Sequence, residues 1–267
     1  MAITNHFIEY RGNQLHYTKS GNGLPALLLF HGFGQTHQAF QSWNEPLTEK
    51  YTLYSFDLFF HGQSKWNKRE ALEKEDWKNV IQLFIEKENI SKFSVGGFSM
   101  GGKFALVTLE LIPSRIQQFI LLAPDGIKTS FWYSLATYPI AIRALFKSMI
   151  LHPDQLHRIT KTLRWIKSID KGLLRFAESQ METEEKRKRV YFSWVYFRHL
   201  QVSLPKIGTT INDFRIDFTL IVGKHDKVIP AKNMDRLLQF VKQYRFEVID
   251  AGHNDLIVKT IQANLIV

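Results

Sequence analysis

The chain has 267 residues, 45% of them apolar, and a formal net charge of +10. That length suits one large α/β domain, or one domain carrying an inserted subdomain. There is no cysteine, which excludes disulfides, thiol redox chemistry, a cysteine nucleophile and cysteine-rich zinc sites. The first residues, Met1 to His6, show no basic segment followed by an apolar one, so no secretory signal is read there. The uncharged run Thr129–Ile142 falls well short of the roughly 20 residues that span a bilayer. The expectation is a soluble, cytoplasmic protein.

In chain order, His6–Arg11 and Leu15–Ser20 read as short strands joined by the turn Arg11-Gly12-Asn13-Gln14. Ala26–Phe30 is a continuous apolar run, as a strand buried on both faces requires, and it ends in His31-Gly32-Phe33-Gly34. Gln38–Lys50 is predicted helical, with Pro46 interrupting it. Tyr51–Phe56 is a strand ending at Asp57. Ala71–Glu88 is an amphipathic helix with Val80, Ile81, Phe84 and Ile85 on its apolar side. Phe93–Phe98 is a strand, Met100–Leu111 a helix closed by Pro113, and Gln117–Ala123 a strand. From Pro124 to about Leu204 the pattern is helical only. Leu156, Ile159, Leu163 and Ile166 recur at helical spacing, and Thr183–Gln201 carries Val190, Trp194 and Phe197 on one side. The α/β rhythm resumes with the strand Ile216–Val222, the helix Ala231–Gln243, the strand Arg245–Ile249 and a final helix from about Asn254. Strands alternating with helices predict βαβ units and a mostly parallel sheet. Active sites of such sheets lie outside the carboxyl ends of the strands. His31–Gly34, Asp57 and Ser99 all fall at such ends.

The stretch Lys92–Gly102 contains Gly97-x-Ser99-x-Gly101, with the serine where a strand must turn sharply into a helix. Residues two before and two after that turn press against it, so glycine is needed at both. The helix N-terminus behind the serine offers free N–H groups to a developing negative charge. Taken alone, the pattern also fits a glycine-rich turn with no chemistry.

Four motifs, in this order, carry a resemblance to the α/β-hydrolase fold family in its lidded form. They are His31-Gly32-Phe33-Gly34, Asp57 through Ser64, Gly97-Phe98-Ser99-Met100-Gly101-Gly102, and Asp226 followed by Gly252-His253. The resemblance covers nearly all of residues 6–267 and is weakest in the helical insertion. It implies a mostly parallel eight-stranded sheet flanked by helices, with a core of residues 1–124 and 206–267 and a helical lid over 125–205. One motif departs from the family: Phe60 stands where a glycine is usual, and Phe59 where a proline is common. That implies a reshaped loop, with two aromatics exposed or packed near the site.

The resemblance also implies roles. Serine is a poor nucleophile without a positioned base. His253, at the end of the last strand's loop, matches the base, and Asp226 matches the acid that orients it. Asp125 occupies the position some members use for the acid; its other reading is a turn residue opening the lid. Asp255 reads as a helix-start residue. The backbone N–H groups of Phe33 and Met100 match the oxyanion hole. His31, His61 and His225 read as local, His31 shaping its loop through ring hydrogen bonds to backbone. Substrate-contacting residues are not assigned, and neither a metal nor a cofactor is expected. A serine at the elbow argues against epoxide opening and halide displacement, which use aspartate there. It implies hydrolysis of a small or medium carboxylic ester or thioester through an acyl-enzyme. A C–C bond hydrolase of diketones and a ligand-binding protein with little turnover are the alternatives.

Between Asp125 and Pro205 there are 14 Lys and Arg against 7 Asp and Glu, so the insertion carries most of the positive excess. It is also rich in aromatics, among them Phe131, Trp132, Tyr133, Tyr138, Trp165, Phe176, Tyr191, Phe192, Trp194, Tyr196 and Phe197. One reading is an apolar pocket roof whose basic outer face draws in acyl substrates or touches an anionic surface. The other is a set of aromatics gluing the lid to the body beneath a solvated charged face. Glu184 and Glu185 before Lys186-Arg187-Lys188-Arg189 favour a salt-bridged helix surface. The expected partner is a small acyl substrate, and nucleic acid is not expected.

Overall fold

The fold was analysed in a computed structural model, which describes residues 3–22, 25–128, 137–151 and 180–266. Eight strands form one sheet: β1 (Thr4–Tyr10), β2 (Asn13–Ser20), β3 (Ala26–Phe30), β4 (Thr52–Phe56), β5 (Phe93–Phe98), β6 (Ile116–Leu122), β7 (Asp217–Gly223) and β8 (Arg245–Ile249). Their spatial order is β1-β2-β4-β3-β5-β6-β7-β8. β2 pairs antiparallel with β1 and β4, and every other pairing is parallel. β3 and β5 lie at the centre, and their runs of wholly buried residues follow from cover on both faces.

Alternation along the strands sorts side chains between two layers. Leu27, Leu29 and Leu53 join a core with Phe40, Trp43 and Leu47 from one side of the chain and Leu256 and Ile257 from its end. Trp43 and Leu47 belong to α1 (Gln41–Leu47), and Phe40 immediately precedes it. Leu256 and Ile257 belong to the C-terminal helix Leu256–Gln262, tied to α1 by a hydrogen bond from Trp43 Nε1 to the Ile257 carbonyl at 3.0 Å. On the opposite face Phe30 meets Trp77 and Phe56 meets Phe84, both from α2 (Lys74–Lys87). Trp77 also packs on Phe104 of α3 (Met100–Leu111). Both faces of the sheet are thus covered by helices, as right-handed crossovers demand.

Several element ends differ from expectation for local reasons. The helix expected over Gln38–Lys50 splits into a 3-10 turn, His37–Phe40, and α1, which keeps Pro46 inside it. α2 starts at Lys74 because Glu73 and Asp76 form a capping box there. The helix expected over Ala231–Gln243 is only a 3-10 turn, Ala231–Asn233, and a short segment, Asp235–Leu238. A helix the sequence reading did not mark, Leu204–Asp213, begins after Ser203 with proline in its first turn.

The chain divides into two compact units, Met1–Lys128 with Leu200–Val267, and Thr129–His199. In the second, the helices Ile140–Leu151 and Glu184–Tyr196 pack on each other. Thr183 caps the latter by accepting from the Lys186 N–H. Lys186, Lys188 and Arg189 pair with Glu182, Glu184 and Glu185, each four residues earlier. Arg187 is buried and donates to the carbonyls of Met181 and Glu182. The basic run is therefore a paired helix surface. The periodic residues Leu156, Ile159, Leu163 and Ile166 lie outside the described residues, as do Phe131, Trp132, Tyr133, Trp165 and Phe176. Among the described residues no helix is long and apolar enough to cross a membrane.

Candidate active site

The site is built where β5 turns into α3. Ser99 stands at that turn with φ 50° and ψ −118°, in a backbone region that side chains rarely adopt. The strain is held from three directions. The Ser99 N–H donates to the Leu122 carbonyl at 3.0 Å, and the Ser99 carbonyl accepts from Gly102 and Asp125 N–H groups at 2.8 Å each. The spacing of the glycines has a steric cause. A Cβ on Gly97 would stand 2.5 Å from the Gly101 carbonyl oxygen, and one on Gly101 would stand 1.9 Å from that of Phe30.

Loops after β7 and β8 deliver the other two groups. His253 Nε2 lies 3.0 Å from Ser99 Oγ, and His253 Nδ1 lies 2.6 Å from Asp226 Oδ2. The Asp226 side chain is fully buried, and its other oxygen accepts from the N–H groups of Val228 and Ile229 at 2.8 Å each. Two backbone donors and one ring N–H thus hold this carboxylate in one orientation. The His253 ring packs against Phe98, 4.9 Å between centroids. Its loop is fastened by Asp255, which opens the C-terminal helix as expected. The Asp255 carboxylate caps backwards, accepting from the Gly252 N–H at 2.7 Å, and it pairs with Lys259 at 3.0 Å. The Lys259 hydrogen bond holds the Asp255 carboxyl below its ordinary value.

Asp125, the other candidate acid, lies elsewhere in the network. Its carboxylate pairs with the mostly buried Lys103 at 3.2 Å and accepts from the Gly126 N–H at 2.8 Å. His225 pairs with Asp250 at 2.8 Å on the surface.

The Phe33 and Met100 N–H groups donate to no other group among the described residues. Met100 is the first residue of α3, where an amide has no intrahelical acceptor. The loop after β3 is held by two buried rings. His31 Nδ1 donates to the Gly32 carbonyl at 2.7 Å, while its Nε2 accepts from the Leu58 N–H at 3.0 Å. His61 Nδ1 donates to the Phe59 carbonyl at 3.0 Å, while its Nε2 accepts from the Gly34 N–H at 3.1 Å.

In the loop bearing Phe59 and Phe60, one aromatic is buried and the other half-buried. Phe59 is fully buried against Trp66, 4.9 Å between ring centroids. Phe60 is half-buried with φ 66°, in the third position of the turn closed by His61 N–H to the Leu58 carbonyl. That position of such a turn ordinarily takes glycine, so Phe60 carries a left-handed backbone.

Sequence reading placed Asp57 at a strand end without finding its partners. Its buried carboxylate accepts from His16 Nδ1 at 2.8 Å, His37 Nδ1 at 2.9 Å, and the N–H groups of His37 and Gln63 at 2.7 and 2.9 Å. His16, His37 and Asp57 offer atoms within 4.8 Å of one another, a grouping a metal could use. Four donors already fill both carboxylate oxygens, so the arrangement is complete as an anchor joining β2 to the loops after β3 and β4. Burial alone would push the Asp57 carboxyl up; the two rings and two backbone donors outweigh it and hold it well below the usual carboxylate range. A depressed carboxyl adds stability that is complete above its unfolded value, about 3.9, and fades as pH falls toward the folded one. Asp57→Asn is therefore expected to cost about 3 kcal/mol and roughly 10 °C in Tm near neutrality. The gap should be level from pH 5 to 8 and narrow below about pH 4. Thermal melts across pH check this.

A family model described as alpha/beta hydrolase fold matches residues 25–149. The pimeloyl-(acyl-carrier protein) methyl ester esterase of Nitrosomonas europaea is 25% identical over 256 residues, 90% of this chain and 92% of that protein. The dihydrolipoyllysine-residue acetyltransferase component of the acetoin cleaving system of Cupriavidus necator is 28% identical over 125 residues, 47% of this chain. The match spans only 33% of that protein's length. Among solved structures, a thermophilic esterase from Thermogutta terrifontis superposes with a TM-score of 0.68 at 18% identity, covering 98% of this chain and 96% of that one. At that identity the likeness is one of fold.

Proposed function

We propose that this chain, a member of the α/β-hydrolase fold superfamily, is a serine hydrolase of small or medium carboxylic esters or thioesters, working through an acyl-enzyme. The observation that carries the reading is the unbroken line Ser99 Oγ, His253, Asp226, with gaps of 3.0 and 2.6 Å, mounted on a strained elbow. The full-length relative from Nitrosomonas europaea, named as a methyl ester esterase, supports the ester over other acyl bonds.

In this mechanism Ser99 Oγ attacks the substrate carbonyl carbon as its proton passes to His253 Nε2. Asp226, bound to His253 Nδ1–H, stabilises the imidazolium that forms. The carbonyl oxygen, now an oxyanion, takes the N–H groups of Phe33 and Met100. His253 then gives its proton to the departing alkoxide or thiolate, leaving the acyl group on Ser99. Water enters, loses a proton to His253, and attacks the acyl carbon; collapse of this second intermediate returns the proton to Ser99 and frees the acid. The cycle calls for no metal or cofactor. The insertion between β6 and β7 is read as a lid, and the chain as a soluble cytoplasmic protein whose partner is its small acyl substrate.

A panel of p-nitrophenyl esters, acyl thioesters and vinylogous diketones tests the reading. The expected result is turnover of esters or thioesters that Ser99→Ala removes, with diketones at least a hundredfold poorer. Preference for diketones would move the assignment to C–C bond hydrolysis. Binding of ligands without turnover of any of the three would refute the hydrolase reading.

A further inference from the structure

We propose that His61 is a positioning residue of the oxyanion hole, acting as a neutral hydrogen-bond acceptor that fixes the loop carrying the Phe33 amide. The inference rests on the reading of Phe33 and Met100 as the oxyanion donors. The Phe33 N–H belongs to a loop without regular structure between β3 and the 3-10 turn at His37. Such an amide aims reliably only if the peptide planes around it are fixed. All peptide bonds described are trans, so the Gly32 carbonyl and the Phe33 N–H point in opposite directions across one plane. His31 Nδ1 and the Gln35 N–H hold that carbonyl, at 2.7 and 3.3 Å. This bond turns the Phe33 N–H away from them.

The next plane carries the Gly34 N–H, and among the described residues its partner is a side chain from another loop: His61 Nε2, at 3.1 Å. Gly34 has φ 76°, and glycine resists rotation about its own bonds less than any other residue. Without the His61 bond this plane could turn and carry the neighbouring amide with it. His61 can accept at Nε2 because its Nδ1–H is committed to the Phe59 carbonyl, which selects the tautomer. The ring is held in place. It is 2% exposed, with the Phe33 ring edge-on at 5.5 Å and the His31 ring at 5.2 Å. The turn bearing it is closed by the His61 N–H to Leu58 carbonyl bond, and the Leu58 N–H is bound in turn by His31. The two loops therefore hold each other through two rings facing opposite ways along the chain, and His61 is the member fastened to the oxyanion loop's second plane.

The proposal separates acceptor position from bulk. Glutamine can place its Oε1 near the site of Nε2, whereas asparagine places Oδ1 near Nδ1, and leucine offers no acceptor. Rates are to be measured per active site, counted by fluorophosphonate titration run to completion. His61→Leu and His61→Asn are expected to lose 30- to 100-fold in kcat, somewhat less than deletion of an oxyanion donor at about 10² to 10³. KM should change less than about 3-fold, since the amide acts on the transition state. His61→Gln should recover most of kcat. Affinity for a trifluoromethyl ketone, which forms an oxyanion on Ser99, should fall in step with kcat/KM, while affinity for the product acid holds. Unchanged kcat per site in His61→Leu and His61→Asn would overturn the proposal, and so would equal losses in the Gln and Asn variants. If the leucine variant does not fold, the Gln and Asn pair decides. Wild-type protein that takes no fluorophosphonate and turns over no ester would instead remove the hydrolase reading beneath it.

Discussion

Ser99→Ala is expected to lower kcat about a million-fold while leaving the fold intact. The reasoning starts from the line of three groups. Ser99 Oγ sits 3.0 Å from His253 Nε2, so the hydroxyl has one base to receive its proton and one carbonyl to attack. Alanine removes the attacking atom and keeps the backbone that the Leu122, Gly102 and Asp125 bonds hold. In the proposed mechanism the three groups act as a unit, so their losses are not expected to add. His253→Ala should cost nearly as much as Ser99→Ala, and the double variant no more than either. Asp226→Asn is the instructive neighbour. An amide at that position would turn the His253 ring to the tautomer that cannot take the serine's proton, at a cost of about 10⁴-fold. Steady-state and single-turnover kinetics on a good ester check all four. Residual activity above about 1% in Ser99→Ala would mean that another nucleophile performs the reaction.

Gly101→Ala is expected to be severely damaging. A Cβ there would lie 1.9 Å from the Phe30 carbonyl oxygen, 2.4 Å from its carbon and 2.7 Å from the His31 carbonyl oxygen. All three are backbone atoms in the buried centre of the sheet, so no side chain can swing away to make room. Either α3 lifts off β3 or the end of β3 moves outward. Displacement of this kind costs about 4 kcal/mol or more, enough to lower Tm by about 10 °C. Function should suffer further than stability, because the displaced segment leads directly into Phe33 while the displaced helix begins at Met100. The two amides assigned to the oxyanion would part. Circular dichroism melts and kcat/KM on the folded fraction check the two halves separately. A variant with wild-type Tm and activity would mean that the elbow and β3 do not meet as described.

The sheet was legible in the sequence because its central strands are continuous apolar runs, each ending in a polar cluster. Ala26–Phe30 and Phe93–Phe98 begin and end at the residues the pattern marks, and so does the edge strand Arg245–Ile249. The elbow was legible because its glycines are a local steric demand. Asp226 and His253 were marked through family resemblance, and in the structure His253 meets Ser99 on one side of its ring and Asp226 on the other. Less legible were features made by contacts distant along the chain. Asp57 meets His16 across 41 residues and His37 across 20, and no local pattern announces either bond. The same holds for His61 and Gly34, 27 residues apart. The helix over Ala231–Gln243 was overread because its apolar spacing is helical while a 3-10 turn at Ala231–Asn233 and the turns after Leu238 break the run. Phe60 was marked as a departure from the family. Its left-handed backbone follows from the turn that His61 closes, which composition does not reveal.

The most direct test of the central claim is labelling with a fluorophosphonate, read by intact mass and peptide mapping. A serine becomes reactive toward such a probe only when a base and an oxyanion site are both in place. The account predicts one adduct per chain, on Ser99, absent in Ser99→Ala and slowed at least a hundredfold in His253→Ala. Folded wild-type protein that stays unmodified, or an adduct on any other residue, would contradict it.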